Sequence, residues 1–184
     1  MKRSTIIIIA VVVLVLGYVG LTYNGLVAAS TSSDAQWAQV ETQYQRRFDL
    51  IPNLVNAVKG VMKQEQDVFG AIADARTRYT GATTASAKAA AASDIESSYA
   101  RLLVVMENYP QLKSSENVLT LQAQIEGTEN RISVERGRYN DAVRSYNLKV
   151  ARFPSSLVAG MFGFDAKAYF QAAAGADAAP TVEF

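Results

Sequence analysis

The chain has 184 residues, a formal net charge of +1 from 18 basic and 17 acidic side chains, an apolar fraction of 49%, and neither Cys nor His. That length accommodates one bundle-sized domain with an appendage, and the near-neutral balance argues against a nucleic-acid partner, which calls for a basic surplus. Without Cys there is no disulfide or thiol chemistry; without His there is no His-containing triad and almost no route to a catalytic zinc site.

Met1-Lys2-Arg3 is a short cationic flank before an unbroken apolar run from Ile6 to Leu21. About 20 largely apolar residues cross a bilayer core of roughly 30 Å as a helix. Val27-Ala28-Ala29 before Ser30 also offers a small-residue cleavage site. The run is longer than the usual core of a signal peptide, which favours an uncleaved signal anchor over residues 1–29. Lys2 and Arg3 precede the span and the next cation is Arg46, so the positive-inside bias predicts a cytoplasmic N-terminus, with the remainder outside. The residues after the span hold 16 basic and 17 acidic groups, which provides no basic face for anionic lipid.

Residues 30–153 are expected to form a helical bundle. Ser30 to Asp34 supply N-cap candidates for a pause at the membrane surface. Trp37, Val40, Tyr44, Phe48 and Ile51 recur at helical spacing. The stripe resumes in phase at Val55, Val58 and Met62, so Pro52 is expected to kink the helix rather than end it, and the pattern runs on through Glu65 to Ile72 and Tyr79. Gly81 to Thr84 forms a turn, and the next helix carries Ile95, Tyr99, Leu102 and Met106 and stops at Tyr109-Pro110. Val118, Ile125, Ile132, Tyr139, Tyr146 and Phe153 then lie seven residues apart. A period of seven specifies a left-handed seam, so this is one long helix of an antiparallel bundle. The predicted class is therefore all-α: a single N-terminal transmembrane helix followed by a long-helix, coiled-coil-like antiparallel bundle. Residues 154–184 form an apolar, Gly/Ala-rich segment and tail. There Leu157, Met161, Phe162, Phe164, Val182 and Phe184 are candidate interaction residues, covered by the chain's own bundle, by the bilayer interface or by a neighbouring copy.

Several ordered blocks resemble the LemA family of bacterial membrane proteins: Tyr23 to Val27, Arg46-Arg47-Phe48-Asp49-Leu50-Ile51-Pro52-Asn53, Glu107-Asn108-Tyr109-Pro110, Thr128-Glu129-Asn130-Arg131, and the pairs Tyr139-Asn140 and Tyr146-Asn147. The resemblance implies a single-span protein with a helical-bundle domain and brings no assigned biochemical activity. One branch resembles a protein needed to form magnetosome membranes, and other members sit beside membrane proteases. Many relatives carry a His-Glu pair where this chain has Glu65 without His, which removes any shared metal site.

Arg46, Arg47 and Asp49 are expected to pair with one another and with carbonyls freed at Pro52. Glu107, Glu129 and Glu135 could gather as a carboxylate site, but dimetal sites of that kind need Glu-x-x-His pairs, so pairing with Arg76, Arg131, Arg136 or Arg138 is expected instead. Tyr139 and Tyr146 are expected in the core with hydroxyls on Glu or Arg. Gly160 to Gly163 lacks the strand and Lys of a phosphate loop. The sequence thus predicts a non-enzyme without cofactor, metal or small-molecule substrate. It would be a scaffold that self-associates and organises or shapes the bilayer. The alternative is an extracytoplasmic adaptor presenting a segment to a membrane protease or another membrane protein.

Overall fold

In the computed structural model, which describes residues 3–170, six helices follow in order: α1 (Arg3–Lys59), α2 (Gln66–Gly81), α3 (Ala85–Met106), α4 (Pro110–Lys113), α5 (Glu116–Ala151) and α6 (Ser155–Phe162). The class is all-α, as the periodicities require.

The 57-residue α1 passes through Ser30–Asp34 and Pro52 without a break. No pause occurs at Ser30–Asp34 because Ser33 Oγ donates to Ser30 O at 2.6 Å, within the helix instead of capping a new one. The expected continuation beyond Met62 fails. α1 ends at Lys59, and the Val61 and Met62 amides both close on Val58 O at 3.0 Å. Gly60 has a low helix propensity, and Met62 just beyond it is fully buried. The turn predicted at Gly81–Thr84 is present, and Thr84 caps α3 by accepting a hydrogen bond from the Ala87 amide at 3.2 Å. At Tyr109-Pro110 the non-helical Tyr109 precedes a proline at the first position of α4.

The chain divides into two compact units: residues 3–38 with 137–169, and residues 39–136 with 170. Residues 154–169 fall in the unit that holds the apolar start of α1.

In the larger unit, the C-terminal part of α1 runs antiparallel to the start of α5: Tyr44 meets Arg136, and Arg47 meets Glu129. Helices α2 and α3 form an antiparallel pair bridged by Arg78 and Asp94 at 3.0 Å. Val40, Ile51, Leu54 and Val58 of α1 are buried in this unit, as are Ile95 and Leu102 of α3 and Val118, Ile125 and Ile132 of α5. Ala91 and Ala92 are buried on α3, where small side chains permit close helix approach. Phe48 packs edge-on against Tyr79 at 4.4 Å, with Tyr44 stacked beside it.

In the smaller unit the same antiparallel sense holds, since Lys149 Nζ donates to Gly25 O at 3.2 Å and Trp37 packs edge-on to Tyr139 at 5.2 Å. Tyr139, Val143 and Tyr146 are buried. The seven-residue seam therefore holds from Val118 to Tyr146, but Phe153 is 76% exposed. α5 stops at Ala151, so Phe153 lies past the helix and its spacing no longer fixes its face. Three residues after the seam positions Ile125 and Tyr146, Thr128 is buried and Lys149 is exposed.

Beyond α5, Ser155 Oγ donates to the Lys149 and Arg152 carbonyls, each at 2.7 Å, closing the end of α5. The eight-residue α6 follows. Gly163, at φ 72°, takes the left-handed conformation that suits glycine, and the Phe164 amide closes on Ala159 O at 2.9 Å. Residues 164–170 then run without regular structure.

Candidate functional site

Two polar constellations organise the molecule, one in each unit. In the larger unit Arg47 comes from the face of α1 that also buries Tyr44, Phe48 and Ile51, and it is only 4% exposed. Its guanidinium bonds Glu96 of α3 at 3.2 Å and Glu129 of α5. Glu96 also accepts from Arg136 at 2.5 Å, and Arg136 donates to the Tyr44 hydroxyl and covers the Tyr44 ring at 5.4 Å. Phe170 lies over the same guanidinium at 4.5 Å. One carboxylate thus bridges two arginines drawn from two other helices. Burial pushes the Glu96 carboxyl above its ordinary range against the pull of Arg136 and Arg47. Burial likewise raises the Tyr44 hydroxyl to about 12, although Arg136 opposes the shift. Arg47 Nε and the Tyr79 and Tyr99 hydroxyls are buried without a hydrogen-bond partner. The polar face continues at Lys88, which pairs with Glu41. At the end of the bundle, the Tyr109 hydroxyl donates to Glu65 at 3.4 Å, tying the α1–α2 connection to the α3–α4 connection.

In the smaller unit, the paired Tyr and Asn residues of α5 hold the returning segment 165–168. Tyr139 donates to Ala168 O at 3.2 Å and Tyr146 to Asp165 O at 2.9 Å. The Asn147 side chain makes a reciprocal pair with the Lys167 backbone, donating to its carbonyl and accepting from its amide, both at 2.8 Å. Lys167 Nζ then reaches α1, with Ser30 O at 3.1 Å, Ser33 Oγ at 2.7 Å and Asp34 at 2.6 Å. It also lies 5.2 Å from the Tyr146 ring. This clasp ties the segment after α6 to α1 and α5. Beside it, Ala28, Ala29 and Ser32 face Ala142, Ser145 and Lys149 across a groove of about 430 Å³. Three alanines and two serines line it, together with Asp141 and Lys149.

The residues singled out from sequence fall in several places. Arg47 serves neither the Pro52 carbonyls nor Asp49. It joins three helices, while the exposed Asp49 accepts from Gln45 at 3.0 Å within α1. Arg46, Asn53, Glu107, Pro110 and Arg131 are exposed, and Pro52, Tyr109, Glu129 and Asn140 are half-buried. Glu129 pairs with Arg47 in place of Arg76, Arg131, Arg136 or Arg138. Among the described residues no three His, Cys, Asp or Glu side chains gather where they could hold a metal ion, so Glu107, Glu129 and Glu135 do not form the weighed carboxylate site. Tyr139 and Tyr146 are buried as expected, but their hydroxyls bond backbone carbonyls instead of Glu or Arg. Leu157, Met161 and Phe162 are exposed on α6, and Phe164 is half-buried. Val182 and Phe184 lie outside the described residues. Sequence reasoning missed Glu96 and Lys167. Glu96 is flanked by the apolar Ile95, a position that signals proximity to the core but names no partner. Lys167 is a single cation after an apolar stretch and carries no periodic signal.

The 18-residue apolar window near the start of α1 is long enough to cross a membrane, and none of it is buried within the protein. With the antiparallel bundle, this defines a membrane-associated helical-bundle protein whose internal charges are paired with one another. The chain belongs to the LemA family, whose profile matches residues 36–184. It is 27% identical over 177 residues to magnetosome protein MamQ 2 of Paramagnetospirillum magneticum, covering 82% of this chain and 65% of that protein. The MamQ 1 protein of the same organism matches equally, and magnetosome protein MamQ of Magnetospirillum gryphiswaldense is 23% identical over 176 residues. The chain spans 65% of the length of these curated relatives.

Proposed function

We propose that this protein is a non-enzymatic scaffold, anchored in the membrane by α1, that self-associates and organises the bilayer. The observation that carries the reading is the continuity of α1: one uninterrupted helix holds both the unburied apolar run and the buried Tyr44–Leu54 face of the bundle, with no linker between them. Tethering also holds copies at high effective concentration, which promotes their association. The non-enzymatic part is supported by the Arg47–Glu96–Arg136–Tyr44 network, in which a carboxylate that could act as a base is taken up by two arginines. Likeness to proteins named for the magnetosome fits a role in membrane organisation.

In the proposed orientation Arg3 lies on the cytoplasmic side and the bundle outside, following the positive-inside bias. The test is the mass of the detergent-extracted full chain by light scattering, together with identification of what co-purifies. The scaffold reading expects a discrete multimer of this chain alone. A monomer accompanied by one other membrane protein counts against it and favours the adaptor.

A further inference from the structure

α6 presents a conflict between its composition and its surroundings. Apart from Ser155 and Ser156 it reads Leu-Val-Ala-Gly-Met-Phe, apolar on every side. A helix of that kind belongs in a protein core or in lipid. Among the described residues only one side has protein cover: Val158 and Ala159 are buried against Leu26, with Val19, Val150 and Phe164 packed around them. Phe162 and Phe164 stack edge-on against Tyr23 at 4.9 and 5.6 Å. On the opposite side Leu157 and Met161, one turn apart, are 60% and 75% exposed, and Phe153 just before the helix is exposed as well.

The position of this uncovered face identifies its occupant. The α1 residues that α6 touches, Val19 to Leu26, follow directly on the run Ile6–Leu21. Counting about 20 residues at 1.5 Å each from Ile6 reaches the end of a ~30 Å hydrocarbon core near residue 25. α6 is therefore fastened to the part of α1 that leaves the hydrocarbon, spanning about 10 Å of depth along that helix. Its backbone is prepared for such a setting. The Ser156 amide closes on Arg152 O at 2.8 Å and the Leu157 amide on Pro154 O at 3.2 Å, and the Gly163 turn brings the Phe164 amide onto Ala159 O. Backbone groups left open at that depth would have little water to bond. The clasp of Tyr146, Asn147 and Lys167 then fixes the segment leaving α6. A second copy is a poorer occupant. The exposed parts of Phe153, Leu157, Met161 and Phe162 amount to on the order of 500 Å², short of the roughly 800 Å² per partner of a stable interface.

We infer that α6 is a membrane-interface helix: its Leu157–Met161 face lies in the boundary between headgroups and acyl chains, beside the point where α1 exits the bilayer. The bilayer would thus hold the chain at two adjacent places. This rests on the reading of α1 as a membrane span, and the test separates the two.

The chain has no cysteine, so single nitroxide labels can be introduced at Leu157→Cys, Met161→Cys, Leu14→Cys in the apolar run and Ser114→Cys on the exposed bundle. The full chain is placed in phosphatidylcholine vesicles, and collision with oxygen is compared with collision with a water-soluble nickel chelate. The labels at 157 and 161 are expected to lose most nickel contact and gain oxygen contact, ranking between positions 14 and 114. If position 161 meets nickel as freely as position 114 while position 14 stays protected, the interface helix is refuted and the span survives. If position 14 is itself open to nickel, the span reading falls and this inference falls with it. Spin–spin broadening at 161 that vanishes on dilution with unlabelled chain would show that a second copy covers the face, which also overturns the proposal.

Discussion

Replacing Ile132 by alanine tests the bundle core at a position where the expected cost can be worked out. Ile132 is fully buried on α5, in line with the buried Val118 and Ile125 of the same seam. The substitution removes three buried carbon groups, worth about 2.4 kcal/mol at ~0.8 kcal/mol each. Facing helices relax only partly into the space, so a cavity term brings the total to about 3–4 kcal/mol, inside the ~2–5 kcal/mol range for such truncations. For a chain of this size that corresponds to a fall in melting temperature of roughly 6–16 °C. Val134, two residues further along the same helix, is 53% exposed, and Val134→Ala should cost less than about 0.5 kcal/mol. The assay is thermal unfolding of the full chain in detergent, followed by far-ultraviolet circular dichroism at several protein concentrations. An Ile132→Ala melt equal to that of Val134→Ala would refute the seam as a core. A loss visible only at low protein concentration would mean that the residue packs between chains instead of within one.

Other expectations follow from the two polar constellations. Arg47→Met and Arg136→Met each leave Glu96 one guanidinium, whereas the double substitution leaves none; in urea unfolding the double should cost more than the sum of the singles by about 0.5–3 kcal/mol. Because the Tyr44 hydroxyl is raised from 10.0 to about 12, chiefly by burial, the folded state keeps that proton where the unfolded chain has lost it. Its stabilising contribution is complete below pH 10 and is lost as pH rises toward about 12, so Tyr44→Phe should flatten the alkaline fall in stability. Asn147→Ala removes both bonds to the Lys167 backbone, worth about 2 kcal/mol together. Hydrogen exchange at the Lys167 amide should then accelerate by roughly thirtyfold, with the amides of α3 unchanged. Orientation can be read with an impermeant thiol reagent at Ser97→Cys, an exposed site: labelling in intact cells is expected, and labelling only after lysis would place the bundle in the cytoplasm.

The parts of the fold readable from sequence were those with a period. The apolar run announced the start of α1, and the interval of seven from Val118 to Tyr146 located the buried face of α5. The same interval misplaced Phe153 because the pattern carries no signal for where the helix stops. The in-phase stripe likewise hid the break at Gly60–Glu65, where chain reversal overrides local spacing. Polar partners were much less legible. Arg47 stood out in the Arg-Arg-Phe-Asp block, yet its partners Glu96 and Glu129 lie 49 and 82 positions away on other helices. Asn147 and Lys167 are 20 residues apart, joined by a turn and a short helix that no periodicity predicts. Burial imposes a repeating pattern on sequence, whereas a single hydrogen bond between distant segments does not.

The central claim, a membrane-anchored bundle acting with its own copies, is tested most directly by counting chains in the native membrane. Cells expressing the full chain with a fluorescent protein at its C-terminus can be solubilised into polymer-bounded membrane discs and the bleaching steps per disc counted. The account predicts discs with several steps, at a number that stays fixed when expression is lowered tenfold. Single-step discs at every expression level would contradict it.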